Sequence, residues 1–205
     1  MRILLIDTTT SYVTVSIIED NTILYNYYNK IESDMSSRII SIIDEAFNKV
    51  EFELKDIDKI MVSNGPGSFT GIRVGVTVAK TIAWALKKDI IPISSLELMA
   101  TTNTSKKYVV PMIDARRGNV FSGIYDTNLN VIKQDKMVSC NELIKDLDDQ
   151  YEFVSYDNIK DTIKPQINVL KVVNKHIKDK GINPHNLNPN YLKLTEAEEN
   201  RIKND

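Results

Sequence analysis

Hydrophobic and polar positions along the chain open with two different strand signatures. Ile3 to Ile6 is an unbroken apolar run suited to a strand buried on both faces, whereas Val13-Thr14-Val15-Ser16-Ile17 alternates with the period of a half-buried one. The polar turn Asp7-Thr8-Thr9-Thr10-Ser11 separates them. A third strand is predicted over Ile23 to Tyr28, after the turn cluster Glu19-Asp20-Asn21, which completes an antiparallel meander. The period then changes. From Ser36 to Val50, Ile39, Ile40, Ile43, Ala46, Phe47 and Val50 fall along one helical face, with Arg38, Asp44, Glu45 and Asn48 elsewhere. Ile60 to Ser63 reads as a strand, Gly71 to Leu86 as a long helix and Ile90 to Ile93 as another strand. Ser94-Ser95-Leu96-Glu97 has capping-box spacing and starts a further helix. This order is that of a mixed sheet with crossover helices, an α/β architecture.

The polar stretch Thr101 to Lys107 reads as a linker, and after it the opening pattern recurs. Tyr108 to Ile113 ends in Asp114, turns through Ala115-Arg116-Arg117-Gly118 and resumes as Val120 to Tyr125, so Asp7 and Asp114 occupy the same place in two copies of one unit. The second copy is poorer. Val131-Ile132 is its third strand, Ser139-Cys140-Asn141-Glu142 starts a helix, Tyr151 to Tyr156 is a strand and Val169 to Lys180 a helix. Beyond Gly181 the prolines and Glu196-Ala197-Glu198-Glu199-Asn200 suggest an extended passage and a solvated tail. The expected division is residues 1–100, a linker 101–107 and a smaller unit 108–205. Two ribonuclease-H-like subdomains with mixed sheets, the second reduced, resemble the actin-like ATPase (ASKHA) architecture, in which such units face each other across a cleft.

Composition adds exclusions. The 205 residues are 42% hydrophobic and 26% charged, with 26 Lys+Arg against 28 Asp+Glu, the balance of a globular protein with enough apolar material for a core. A net charge of −2 argues against gripping nucleic acid unaided, because phosphate neutralisation needs a surplus of cations on one face. No apolar run approaches a signal-peptide core or a membrane span, so a cytoplasmic protein is expected. The single cysteine, Cys140, has no internal disulfide partner, and nothing near it in sequence would lower its pKa.

Candidate chemistry is sparse. An actin-like ATPase needs glycines in both hairpin turns, where backbone N–H groups approach phosphate. Here the first turn holds threonines and the second only Gly118, so Asp7, Thr8, Asp114 and Arg116 outline a nucleotide cleft without its grip. The histidines, His176 and His185, are read as surface or boundary residues without a ligating neighbour at i+3 or i+4, and no metal site is expected. No Ser/His/Asp arrangement emerges either, since Ser68 has no base near it in sequence.

The richest stretch is the loop Gly65-Pro66-Gly67-Ser68-Phe69-Thr70 leading into the long helix. A glycine-bearing strand-to-helix loop can bind an anion, but no Lys-Ser/Thr follows as in a Walker A loop. The plainer reading is a tight turn with Ser68 or Thr70 as N-cap. On the helix, Gly71, Gly75, Ala79 and Ala83 form a stripe of small residues within an apolar arc about 200° wide, where one core needs little more than ~100°. Such a helix has two things to bury against: the helix 36–50, a second chain, or both. Arg73, Thr77, Lys80 and Trp84 occupy the remaining face.

Gly65 to Arg73, with Ile6-Asp7-Thr8-Thr9 and Ile113-Asp114-Ala115-Arg116, resembles the TsaB (YeaZ) family over about Met1 to Tyr125. Pro189-Asn190-Tyr191-Leu192-Lys193 is similar to the family's C-terminal Pro-x-Tyr-Leu-Arg, with Lys193 for Arg. Met35-Ser36-Ser37-Arg38 stands where the family often has His-Ser-Glu. The resemblance implies a role in threonylcarbamoylation of N6 of adenosine 37 in tRNAs reading codons that begin with A. TsaD transfers the group, TsaE is an ATPase, and TsaB is the non-catalytic dimerisation partner of TsaD. It further implies pairing with TsaD, or with a second copy in its absence, through Ile39, Ile43, Phe47, Gly71, Arg73, Gly75, Val78, Ala79, Ile82 and Ala83. TsaE would join the larger complex, tRNA would be met only through the complex, and ATP or ADP would sit at a subunit junction, with no cofactor in the isolated chain. The alternative is an actin-like ATPase or phosphotransferase using Asp7 and Asp114, of the kind once labelled M22 glycoprotease.

Overall fold

A computed structural model describes residues 1–145 and 147–192. Its first sheet runs β3-β2-β1-β4-β5, built from β1 (Arg2–Asp7), β2 (Tyr12–Glu19), β3 (Thr22–Lys30), β4 (Lys59–Ser63) and β5 (Ile90–Ile93). β1 pairs antiparallel with β2 and parallel with β4, and β4 pairs parallel with β5. The parallel neighbours are reached through α1 (Met35–Asn48) and α2 (Phe69–Leu86). The second sheet repeats the plan one strand short, in the order β8-β7-β6-β9, from β6 (Tyr108–Arg116), β7 (Asn119–Asp126), β8 (Val131–Ser139) and β9 (Tyr151–Val154). This is the reduced second unit expected from the repeat.

Alternation along β1 divides the core. Leu4 and Ile6 pack with Val13, Val15 and Ile17 under α1 and α2, while Ile3 and Leu5 face the second sheet. Between the sheets lie α3 (Ser95–Met99) and α5 (Val169–His176), so Leu96, Leu98, Val172 and Val173 share one core with Val109, Ile113 and Tyr125. The outer face of the second sheet is covered by a smaller cluster that includes Cys140 and Leu143 of α4 (Cys140–Lys145).

Several elements differ in extent from expectation. β8 runs nine residues, far beyond Val131-Ile132, because an edge strand exposed on much of its length needs no apolar alternation. α5 stops at His176 rather than Lys180, and α3 is only five residues long. Thr101 and Thr102, at the head of the predicted linker, are buried. Their hydroxyls donate to Leu98 O and Met99 O and accept from the N–H groups of Asn168 and Gln166. Their polarity therefore serves internal bonds. The tail 196–200 lies outside the described residues, among which no helix is long and apolar enough to cross a membrane.

Candidate functional site

The loop after β4 is tied on three sides. Asn64 N–H donates to Ile93 O, Ser95 N–H donates to Gly65 O, and Asn190 N–H donates to Asn64 O at 2.7 Å. Ser68 N–H donates to Thr9 O at 2.7 Å. Gly67 has φ +154°, and a methyl group there would lie 2.2 Å from the Thr9 carbonyl oxygen, so only glycine fits. Ser68 is the N-cap of α2, its Oγ accepting the Gly71 N–H at 3.2 Å. The loop Gly65 to Thr70 thus forms a tight, capped turn pressed onto the β1–β2 turn.

Above it lies a cleft of about 650 Å³, within the range of small-molecule sites. One wall is Thr9, Thr10 and Ser11 with Gly67 to Thr70; the other is Ile113 to Arg116, Phe121 and Asp157, with Asn190 to Leu192 closing one side. The two repeated turns therefore face each other, and their acids behave alike. Asp7 Oδ1 accepts Thr9 N–H at 2.9 Å and Asp114 Oδ1 accepts Arg116 N–H at 2.8 Å, the same two-residue turn in both copies. Their exposure differs. Asp7 is 4% exposed and lies beneath the cleft, with Thr9 Oγ1 also donating to Oδ1 at 2.6 Å. Burial pushes its carboxyl up from the ordinary value, against the lowering effect of the Thr9 bonds. Asp114 and Arg116 line the cleft, Arg116 Nη1 standing 3.6 Å from Asp114 Oδ2. Thr8 also lies beneath it, buried with its Oγ1 donating to Gly71 O at 2.7 Å. The four residues expected to outline one nucleotide cleft thus split into two that line it and two that support it.

At the cleft mouth Phe69 and Tyr191 stack with ring centres 4.8 Å apart. The Arg73 guanidinium lies 3.8 Å from the Phe69 ring centre, and its Nε–H donates to Tyr191 Oη at 2.8 Å. Tyr191 is absent from the sequence-derived site residues. Its signal is the Pro189-Asn190-Tyr191 segment, which sequence separation detaches from α2.

The helix surface corrects the sequence reading at its centre. Gly71, Gly75, Ala79 and Ala83 are all buried, and their neighbours belong to this chain. A methyl group on Gly71 would lie 2.0 Å from Thr8 O, and one on Gly75 would lie 2.4 Å from Thr8 Oγ1. Gly71 and Gly75 therefore admit the β1–β2 turn, Ala79 and Ala83 pack in the core of this chain, and none of the four is exposed on the helix surface. Ile39 and Ile43 are likewise buried in the core under α1. What α1 and α2 leave outward is Ile40, 56% exposed, Trp84, 64% exposed, Arg73, and the half-buried Phe47, Val74, Val78 and Ile82.

A second polar cluster lies between the sheets. Ser94, the N-cap of α3, accepts Leu96 N–H and also donates to Asp135 Oδ2. Glu97 does not complete a capping box; its carboxylate is buried and takes Lys175 Nζ and His176 Nε2. His176 Nδ1 bonds Asp179 Oδ2 at 2.6 Å, so the i+3 neighbour discounted from sequence is a partner after all. Cys140 has its thiol pushed up by burial and by Asp114, which keeps it protonated.

Comparison with known proteins converges. The family model of TsaD, tRNA N6-adenosine threonylcarbamoyltransferase, matches residues 29–187. The tRNA threonylcarbamoyladenosine biosynthesis protein TsaB of Bacillus subtilis (strain 168) is 30% identical over 223 residues, covering 97% of this chain and 96% of its own. TsaB of Escherichia coli (strain K12) is 32% identical over 135 residues, 64% of this chain and 58% of its own. The solved structure of YeaZ from Pseudomonas aeruginosa superposes with TM-score 0.79 at 18% identity, covering 93% of this chain and 99% of that one, a likeness of fold.

Proposed function

The chain belongs to the TsaB family of tRNA threonylcarbamoyladenosine biosynthesis proteins, and from that membership we propose that it is the non-catalytic partner of a TsaD-type threonylcarbamoyltransferase. The carrying observation is that α1 and α2 leave Ile40 and Trp84 exposed and Val74, Val78 and Ile82 only half-buried. Exposed apolar and aromatic groups on a helix pair have the make-up of an association surface. The partner is TsaD, or a second copy of this chain in its absence. TsaE and tRNA are met through the assembled complex, and ATP or ADP is bound at a subunit junction.

Support for the non-catalytic reading comes from the first turn. Thr8 is buried against Gly71 and Gly75, and Asp7 is folded under Thr9. Although Thr9 to Ser11 line the cleft, the Thr9 N–H is taken by Asp7 and the Thr8 hydroxyl by α2, so neither is free to grip a phosphate. The experiment is co-purification with TsaD after substitution of the exposed positions: Ile40→Glu with Trp84→Glu abolishes the complex and leaves a folded chain. Undiminished complex formation refutes the surface, and ATP turnover by the isolated chain refutes the non-catalytic role.

A further inference from the structure

We propose that Phe69 and Tyr191 hold Arg73 as a ready-made fork for a carboxylate of the protein partner, with Arg73 the charged anchor of the docking face and Tyr191 its positioning residue. The inference rests on the reading of α1 and α2 as that face and adds the chemistry the partner supplies. Arg73 is exposed on α2, yet its side chain is fixed. Its Nε–H donates to Tyr191 Oη at 2.8 Å, and its guanidinium carbon lies 3.8 Å from the Phe69 ring centre and 5.9 Å from that of Tyr191. Tyr191 is in turn seated by its neighbours. Asn190 N–H donates to Asn64 O at 2.7 Å, Asn64 Nδ2 donates to Asn188 O at 3.1 Å, and Leu192 packs on the core between the sheets. A methyl group on Gly65 would lie 2.5 Å from Asn190 O, so the glycine leaves the room for this seat. An exposed arginine samples many rotamers, and ordering it on binding costs entropy. Here the fold orders it beforehand.

The tie to Tyr191 does not use up the fork. It engages Nε alone, and among the described residues Nη1 and Nη2 have no hydrogen-bond partner. Those two nitrogens present parallel N–H donors, the geometry that takes both oxygens of a carboxylate. Holding the chain end does not call for an arginine either, because the bonds at Asn64 and the Ile90–Ile182 bridge already anchor this segment.

Charge and position name the occupant. Arg73 and Lys80 are the only charged residues of α2, and Lys80 Nζ is spent on Leu187 O at 2.9 Å. No acid on the helix answers the guanidinium. Phe69 and Tyr191 line the cleft and Arg73 does not, which separates the fork from a ligand of the cleft. Arg73 and Trp84 lie about three turns and ~16 Å apart along one side of the helix, so a partner that covers Trp84 reaches Arg73. A covered guanidinium without a counter-charge is costly, so the surface that covers it brings a carboxylate.

The test is the affinity of the full chain for the purified TsaD-type partner, read by calorimetry at low and at high salt, with Tm recorded on each preparation. Arg73→Lys keeps the charge and loses the fork; it raises Kd by about tenfold or more at low salt and leaves Tm near wild type. Arg73→Gln raises Kd further and flattens its salt dependence. Tyr191→Phe keeps the ring stack and frees the guanidinium, so it raises Kd severalfold where Arg73 is present and adds nothing in an Arg73→Gln background. A merely structural tyrosine would weaken both backgrounds alike, which overturns its positioning role. Unchanged affinity in Arg73→Lys and Arg73→Gln, while Ile40→Glu with Trp84→Glu abolishes the complex, overturns the anchor and spares the docking face. Undiminished complex formation in every variant overturns both. Loss of tRNA or nucleotide retention by the complex, with affinity for the partner intact, assigns the fork to phosphate, and loss of self-association alone assigns it to a second copy; either result overturns the proposal.

Discussion

Thr8 Oγ1 donates to the Gly71 carbonyl at 2.7 Å, and the Thr8 carbonyl oxygen stands only 2.0 Å from where a methyl group on Gly71 would lie. The first hairpin turn and the first turns of α2 are therefore one interlocked unit, with Gly75 meeting the Thr8 hydroxyl at 2.4 Å in the same sense. The two glycines differ in what blocks them: backbone at Gly71, a side chain at Gly75. Gly75→Ala is expected to destabilise by about 1–3 kcal/mol through overpacking and to be relieved in a Thr8→Ala background, with a coupling of about 1 kcal/mol or more. Gly71→Ala is not relieved. A double-mutant cycle in urea checks this, and an unrelieved Gly75→Ala would show that the hydroxyl is not the obstacle.

Two helix caps predict unequal losses. Ser68→Ala removes one bond to the Gly71 N–H and should cost about 1 kcal/mol. Ser94→Ala removes the cap of α3 and also strips the half-buried Asp135 carboxylate of a donor. A hydrogen bond to a charged group is worth about 1.5–3 kcal/mol, so Ser94→Ala should be the more damaging by at least that margin. Urea midpoints at constant m-value decide it.

The Glu97–His176 pair sets a pH window. Its bonds to Glu97 raise the His176 pKa above 6.5, with burial opposing and Asp179 assisting. Burial would push Glu97 up, but His176 and Lys175 together hold it below its ordinary 4.5. A raised histidine contributes stability that is complete below pH 6.5 and is lost as pH rises through its folded value; a lowered glutamate contributes stability complete above pH 4.5 and lost on acidification. The pair thus stabilises most between those limits. Melting scans from pH 6 to 9 should show wild type losing Tm relative to His176→Gln as pH rises, and parallel curves would remove His176 from the account.

What the sequence made legible was whatever local pattern controls. The continuous run Ile3 to Ile6 and the cap Ser94 appear where their spacing places them, and of the predicted apolar face of α1 Ile39, Ile43 and Ala46 are buried while Ile40 stands exposed and Ile42 is buried instead. The repeated acid-bearing turn was visible too, because Asp7 ends the first strand of one sheet and Asp114 lies two residues before the end of the first strand of the other. Partners distant in sequence were not. Glycines at 71 and 75 announced a close approach without naming Thr8, and nothing local ties Glu97 to His176 or Ser94 to Asp135. The small residues of the apolar arc on α2 pack inside this chain, and what the helix leaves outward is the exposed Trp84 with the half-buried Val74 and Val78.

That inversion separates two substitutions on one helix. Ala79 is fully buried, so Ala79→Glu forces an uncompensated charge into the core and is expected to unfold the chain, an effect of several kcal/mol. Loss of a TsaD complex in that variant says nothing about the surface. Trp84 is 64% exposed, so Trp84→Ala should leave stability within about 0.5 kcal/mol of wild type. As a central anchor of an interface it should weaken the complex by about 2 kcal/mol or more, some thirtyfold in Kd. Measuring Tm and TsaD affinity on the same Trp84→Ala preparation distinguishes folding from docking. A normal Tm with unchanged affinity would move the contact away from this end of α2, and Val78→Glu and Ile40→Glu would then show whether the rest of the face carries it.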